Sequence, residues 1–371
     1  MTADTPYPID TPFKVAIIGS GNWGTAVAKI VAENCAEQPQ LFDKEVKMWV
    51  FEEKIDGRNL TDIINTEHEN VKYMPGVKLP ANLVAVPDAV ETAHDADILV
   101  FNIPHQFLPN VCKQLHGHVK PTARAISCLK GLEVTKEGCN LLSTSITNTL
   151  GIHCGVLSGA NIANEVAREK WSETSVAYPR PADYRGDGKD VNEYVLKNLF
   201  HRPYFHVSVI DDVVGASIAG ALKNVVAIAA GFVEGAGWGD NAKAAIMRIG
   251  LKETIKFAGY YEKFGIECST PPSPTTFTSE SAGVADLITT CSGGRNVRVA
   301  RHMIENDVSA WDAEKELLNG QSSQGILTAK EVHELLENFE LKDEFPLLET
   351  TYRVIYEGAD VNEFPDTLSH L

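Results

Sequence analysis

Lys223 is the only charged residue between Gly215 and Gly231, a run that reads GASIAGALKNVVAIAAG. Apart from Ser217 and Asn224 the rest is apolar or small, which predicts a buried helix, apolar all round. An ammonium there has lost its water. That lowers its pKa and makes it a proton donor and acceptor near neutral pH. The alternative is a lysine that reaches water along its stem or pairs with an acid for stability. A second stretch, Gly283 to Asn296 (GVADLITTCSGGRN), supplies groups that could work with it. Asp286 and Thr290 are four apart and share a helical face. Gly293 and Gly294 loosen the chain and deliver Arg295 and Asn296. A guanidinium is the preferred fork for a phosphate, and an asparagine can bond ester and hydroxyl oxygens. A helix cap followed by a glycine turn with exposed polar residues would look the same. Lys130, after the strand-like Ala123 to Cys128, is placed for an anion or is a solvated surface lysine. His105 follows Pro104 and is a catalytic candidate or a loop histidine. Cys291 reads as a packed thiol.

A different chemistry is written in Gly19-Ser20-Gly21-Asn22-Trp23-Gly24. Val15 to Ile18 before it suits a strand buried on both faces, and Ala26, Val27, Ile30 and Val31 after it fall at helical spacing. Strand, G-x-G-x-x-G, helix is the dinucleotide-binding arrangement: a tight turn, a bare backbone for the pyrophosphate, and close packing of helix on strand. Free N–H groups and the dipole at the helix start then face the phosphates. Glu45 to Val50 is the next strand and ends in Phe51-Glu52-Glu53, with no basic residue following Val50. That favours NAD over NADP. Glu52 and Glu53 could equally be solvated loop charges, and neither is assigned a contact.

These groups need elements to hold them. Short strands are predicted at Leu83 to Val86, Ile98 to Ile103, Ala123 to Cys128 and Gly155 to Leu157, with a helix from Asp88 to Asp95 and a polar helix and loop from Asp56 to Glu69. Small residues in Ser158-Gly159-Ala160-Asn161-Ile162-Ala163 would let a ligand approach the backbone. Strands alternating with helices give a mostly parallel, doubly wound α/β sheet. Past Asp211-Asp212 the strand-like runs fade and long helical segments follow, among them Thr328 to Phe339 and Leu347 to Tyr356. The expected organisation is a loose arm over 1–12, a dinucleotide-binding domain over 13–205 and a helical substrate domain over 206–371. Tyr178 to Lys189 reads as a mobile loop, and Asn319 to Gly325 as a polar loop able to close as a lid.

Composition narrows the partners. The 371 residues suffice for two domains, and 44% hydrophobic with 22% charged content is ordinary for a globular chain. A net charge of −17 argues against nucleic acid and against an anionic membrane surface. An anionic substrate must therefore be drawn by a local cluster of Lys and Arg. The seven cysteines are scattered and form no C-x-x-C pair, which reads as reduced thiols without a zinc site. No signal peptide and no uninterrupted membrane-spanning run is read, so the expected compartment is the cytoplasm. The terminal Ser369-His370-Leu371 resembles the peroxisomal Ser-Lys-Leu address, which would imply a minor peroxisomal pool, but three residues match easily by chance.

Taken together, GSGNWG, MWVFEE, NIPHQF, CLKGLE, GANIANEVA, ALKNVVAIAAG, GDNAKAA, ADLITTCSGGRN and LLNGQSSQG make the chain closely resemble the eukaryotic NAD-dependent glycerol-3-phosphate dehydrogenases, and the loop at 179 to 190 and the C-terminal tripeptide look like those of fungal members. The likeness runs from Phe13 to Phe364. It implies a Rossmann domain followed by an all-α domain like the C-terminal domain of 6-phosphogluconate dehydrogenase, usually as a homodimer. It implies NAD as cofactor, a small phosphate substrate, and interconversion of dihydroxyacetone phosphate and glycerol 3-phosphate. By the same resemblance Lys223 is the general acid/base, and Asn224, Asp286 and Thr290 line the substrate pocket. Lys130, Arg295 and Asn296 contact the substrate and its phosphate. Gly19, Ser20, Gly21, Asn22, Trp23, Gly24, Phe51, Phe107, Lys130, Ala163, Arg295 and Gln324 contact NAD. No metal is needed, because the ammonium takes the place of a Lewis acid. Family members often carry Lys where Ser322 stands, so a charge facing the cofactor is missing here. Two other readings compete. One is a 3-hydroxyacid dehydrogenase, which would serve a carboxylate where Lys130 and Arg295 favour a dianion. The other is an NAD-binding regulator without turnover, which would have a broken catalytic set.

Overall fold

The computed structural model describes residues 11–184, 190–318 and 322–369. The arm over 1–12 lies outside the described residues up to position 10, as do 185–189 of the long loop, 319–321 of the proposed lid and the last two residues of the terminal tripeptide. By its contacts the chain divides into two compact units. One comprises Met1–Leu129, Leu142–Leu157 and Asn161–Asp211; the other comprises Lys130–Leu141, Ser158–Ala160 and Asp212–Leu371.

The first unit is built on β1 (Phe13–Ile18). Its residues alternate between two apolar clusters: Phe13, Val15 and Ile17 enter one, Ala16 and Ile18 the other. This double burial is why the run carries almost no polar residue. With β2 (Phe42–Trp49), β3 (Leu83–Val86), β4 (Ile98–Phe101), β5 (Arg124–Ser127), β6 (Cys154–Ser158), β7 (Ser172–Ala177) and β8 (Phe205–Ile210) it forms an eight-stranded sheet ordered β8-β7-β6-β5-β4-β1-β2-β3. The described registers are parallel; Val15, for example, stands opposite Val46 on β2 and Ile98 on β4. The order reverses at β1: the chain winds outward through β2 and β3, then returns to β4 on the other side. Ligands of open parallel sheets collect at such a switch point.

The sheet extends by two strands, β7 and β8, that sequence pattern does not single out. Both are partly polar on one face, and Ser172 to Ala177 (SETSVA) lacks an apolar run. β8 also spans the boundary expected between 205 and 206. The start of the long loop is anchored and not mobile as expected. Tyr178 is buried and donates its N–H to the Ile210 carbonyl at 2.7 Å, and Asp183 pairs with Arg124 at 2.8 Å.

The second unit is helical. α2 (Val213–Gly235) forms its core, surrounded by α3 (Asp240–Gly259), α4 (Asp286–Ser292), α5 (Arg295–Asn306), α6 (Ala310–Leu317), α7 (Gln324–Asn338) and α8 (Pro346–Tyr356), where α1 is the first unit's Asn22–Glu37. α2 is long and apolar enough to cross a membrane, but 89% of its apolar window is buried in the protein, so it is a core helix. Asp212 starts it. Its carboxylate accepts the Gly215 N–H at 2.7 Å, the Ser273 N–H at 2.8 Å and the Thr276 hydroxyl at 2.6 Å. An N-cap of this kind is worth about 1 kcal/mol, and here the same group also ties down the segment ahead of α4. The helix leading into α4 is broken at Gly283 (φ −96°, ψ −108°), three residues before Asp286.

Candidate active site

In the first unit, Gly19 follows β1 with φ +113°, a conformation that side chains resist. A Cβ there would lie 2.6 Å from the Asn102 carbonyl oxygen and 2.8 Å from Ile103, because the ends of β1 and β4 converge. At Gly24 a Cβ would come within 2.4 Å of the Gly19 carbonyl oxygen, so α1 lies tight against the turn. A Cβ on Gly21 would meet nothing within 4 Å. Gly21 is the N-cap of α1, and no side chain caps the helix, so Asn22 and Trp23 begin it with N–H groups open to an anion. A dinucleotide pyrophosphate fits this cradle. Phe51, after β2, is 74% exposed and Phe107, in a single turn after β4, is 52% exposed; large bare aromatic faces suit a flat ring. Ala163 begins the short helix Ala163–Ala167. Neither Glu52 nor Glu53 is a solvated loop charge. Glu52 accepts from the Thr61 hydroxyl and N–H, and Glu53 pairs with Lys72 and Tyr73. Burial lowers the pKa of His105, which favours a neutral ring.

In the second unit, Lys223 is 8% exposed in the middle of α2. Its ammonium donates to the Asp286 carboxylate and, at 2.8 Å, to the Thr290 hydroxyl. The other Asp286 oxygen accepts from Lys130 at 2.8 Å. One carboxylate thus bridges two lysines, and Thr290, one turn along α4, lies 3.4 Å from it. Lys130 reaches this point along α2 at Gly220. A Cβ there would touch the lysine stem at 3.7 Å and the Ser158 hydroxyl at 3.1 Å. Burial is the main cause that pulls the Lys223 pKa down, to about 7; the Lys130 charge adds to the fall and Asp286 opposes it. For Asp286, burial pushes upward, yet Lys130 and Lys223 together outweigh it and hold the carboxyl below its ordinary value. A lysine poised near neutrality and held by a carboxylate that stays ionised can give and take a proton. The two ammonium groups against one carboxylate leave net positive charge, which suits an anionic ligand in a chain of net charge −17.

A second network adjoins the first along α2. Asn296, on α5, donates to the Asn224 side-chain oxygen at 2.8 Å, and Asn224 donates to the Gly220 carbonyl at 3.3 Å. The Asn296 oxygen accepts from the Ser323 hydroxyl at 2.5 Å and the Gly325 N–H at 3.0 Å. A Cβ on Gly325 would stand 2.5 Å from the Asn224 carbonyl oxygen, so only glycine lets α7 begin this close to α2. Arg295 is exposed at the start of α5, beside Gly294 with φ +104°; Gln324 is the first residue of α7 and Ser322 is exposed just ahead of it. Lys130, Lys223, Asn224, Asp286, Thr290 and Asn296 are therefore brought together within one unit, while Gly19 to Gly24, Phe51, Phe107 and Ala163 belong to the other. Sequence reading missed Ser323. Its place before a helix signals an N-cap, but its hydroxyl bonds Asn296 and makes no cap bond.

A doubly wound parallel sheet with a glycine turn at its switch point, and a helical unit carrying a buried, carboxylate-held lysine, define a two-unit nicotinamide-dependent dehydrogenase architecture. Residues 14–183 match the family model for the NAD-dependent glycerol-3-phosphate dehydrogenase N-terminus, and residues 212–366 match that for its C-terminus. The chain belongs to the NAD-dependent glycerol-3-phosphate dehydrogenase family. It is 73% identical to glycerol-3-phosphate dehydrogenase [NAD(+)] 2 of Candida albicans, covering 98% of each chain. It is 61% identical to glycerol-3-phosphate dehydrogenase [NAD(+)] 2, mitochondrial, of Saccharomyces cerevisiae, over 97% of this chain and 80% of that one. Among solved structures it is similar to glycerol-3-phosphate dehydrogenase from Saccharomyces cerevisiae, with a TM-score of 0.90, 61% identity, and coverage of 96% of this chain and 99% of that chain.

Proposed function

We propose that this protein is an NAD-dependent glycerol-3-phosphate dehydrogenase that interconverts dihydroxyacetone phosphate and glycerol 3-phosphate, with Lys223 as the general acid and base. The observation that carries the role of Lys223 is its bond to Asp286, which itself is held by Lys130. When bound, the cofactor supplies or accepts the hydride. The chain's own work is to bind, orient and move a proton. As the C2 carbonyl is reduced, its oxygen becomes an alkoxide, and the Lys223 ammonium both stabilises that charge and protonates it. In the reverse direction the neutral amine takes the hydroxyl proton. Asp286 and Thr290 hold the amine in place, so that little orientational freedom is lost on reaching the transition state. Lys130 and Arg295 supply positive charge, and Asn224 and Asn296 supply amide donors, for a phosphate dianion. Binding energy at the phosphate then orients the ketone, a part of the substrate it does not touch. The cradle of Gly19 to Gly24 holds the pyrophosphate, with Phe51, Phe107, Ala163 and Gln324 as further cofactor contacts.

The test is the loss of NADH absorbance with dihydroxyacetone phosphate, for the unaltered protein beside Lys223→Ala. Turnover that collapses by at least a thousandfold in a folded variant still able to bind NADH supports the reading, since a proton donor contributes roughly 10²–10⁴ and the alkoxide also loses its counter-charge. An unaltered protein that is inert here but oxidises a 3-hydroxyacid overturns it. A homodimer, implied by the family resemblance, is part of the proposal and is checked by light scattering. So is a cytoplasmic location: all seven cysteines are free thiols, six of them buried, which suits a reducing compartment. One relative is named mitochondrial, and cell fractionation decides between the two. A peroxisomal pool has no support beyond the terminal tripeptide.

A further inference from the structure

The two asparagines beside Lys223 are not free to choose which way their amides point. At one end of their chain stands the Gly325 N–H, which can only donate; at the other stands the Gly220 carbonyl, which can only accept. The Asn296 atom facing Gly325 must therefore be its oxygen. Its nitrogen then faces Asn224, whose facing atom must be the oxygen, and the Asn224 nitrogen is left for Gly220. Four groups thus run in one sense, from the start of α7 to the turn of α2 before Lys223. Each amide nitrogen has two hydrogens and uses one in the chain, so each keeps one N–H to offer a ligand. The chain is buried: Asn224 is 7%, Asn296 8% and Ser323 2% exposed. Reversing either amide would set N–H against N–H or oxygen against oxygen where water cannot repair it.

Ser323 adds the shortest bond to this chain, 2.5 Å from its hydroxyl to the Asn296 oxygen. We infer that Ser323 is a positioning residue, which holds the Asn296 amide in place so that Asn296 and Asn224 present their N–H groups to the anionic substrate. The inference rests on the reading that this unit binds a phosphate ester. For such a ligand the sense of an amide decides between a donor that attracts and an oxygen that repels. Ser323 touches neither substrate nor cofactor in this role. A hydroxyl can donate or accept and sets no sense of its own, so Ser323 acts on where the Asn296 amide sits, while Gly325 and Gly220 set its sense.

The experiment is steady-state kinetics of Ser323→Ala with dihydroxyacetone phosphate and NADH, together with competitive inhibition by inorganic phosphate. Loss of one of two bonds to a buried acceptor is expected to raise KM for dihydroxyacetone phosphate roughly fivefold. The inhibition constant of inorganic phosphate should rise in parallel, while kcat and KM for NADH stay within about twofold of the unaltered protein and Tm falls by no more than about 4 °C. Unchanged KM and phosphate inhibition overturn the inference. So does a joint fall of kcat, both affinities and Tm, which would mark Ser323 as a packing residue. An unaltered protein inert toward dihydroxyacetone phosphate overturns the substrate reading itself, an outcome visible before any variant is made.

Discussion

Replacing Asp286 by Asn removes one negative charge and leaves the shape of the side chain. Lys223 and Lys130 then face each other across a neutral amide, where now one carboxylate accepts from both. Removing one partner of a buried ion pair costs about 3–5 kcal/mol. Taking the lower figure, at 1.36 kcal/mol per pKa unit, the Lys223 amine should titrate about two units lower. It would move from about 7 to roughly 5. The direction of the effect on rate follows. Reduction of the ketone needs the ammonium, so its rate is full below the Lys223 pKa and is lost as pH rises through it; oxidation of the alcohol needs the free amine and behaves oppositely. At pH 7.5 the protonated fraction falls from roughly a quarter to roughly 0.3%, so kcat/KM for reduction should drop on the order of 100-fold. At pH 5 the loss should shrink to roughly twofold from this cause. The assay is NADH consumption with dihydroxyacetone phosphate from pH 5 to 9, with a thermal melt as the check on folding. A loss that is the same at every pH, or a profile that does not move, would refute the reasoning that Asp286 acts through the charge on Lys223.

Two further perturbations probe other parts of the molecule. Gly19→Ala puts a Cβ 2.6 Å from the Asn102 carbonyl oxygen and forces an alanine to φ +113°. The dissociation constant for NADH, followed by fluorescence, should rise roughly 5- to 150-fold, as expected from about 1–3 kcal/mol of local strain; an unchanged constant would dissociate this turn from the cofactor. Glu253, 2% exposed on α3, accepts the N–H groups of Leu347 and Leu348 at the start of α8, and burial raises its pKa to about 7. Because the folded-state value lies above the unfolded one, its stabilising share is present below pH about 4.5 and is lost as pH rises through about 7. That amounts to about 3 kcal/mol on the scale of 1.36 kcal/mol per unit. Glu253→Gln should flatten this slope in urea midpoints measured between pH 5 and 8; a slope identical to that of the unaltered protein would show that the group does not titrate there.

What could be read along the chain was local. β1 and the glycine turn were legible because a strand buried on both faces must be apolar without a break, and because a turn with positive φ and a close helix admits little but glycine. α2 was legible by the same logic: a helix in the middle of a core has no polar face, so one lysine within it stands out. The helices ending in Asn338 and Tyr356 carry the ordinary 3.6-residue apolar pattern, and were found within a few residues of their observed ends. β7 and β8 were not, because their half-polar sequences become strands only beside an existing sheet edge.

The site itself was named in pieces, but its chemistry is a product of packing. The Asp286 carboxylate comes to Lys223 from 63 residues away and to Lys130 from 156, and no periodicity or motif spacing encodes such a meeting. Both pKa shifts depend on how much water is excluded and on which charges stand near, quantities that exist only once the helices close around α2. The sense of the Asn296 and Asn224 amides is likewise settled by two backbone groups at the ends of a folded chain of bonds. Sequence alone determined which residue types were present and which backbone shapes they permit. Tertiary structure decided which of them touch, and therefore which can hold a proton.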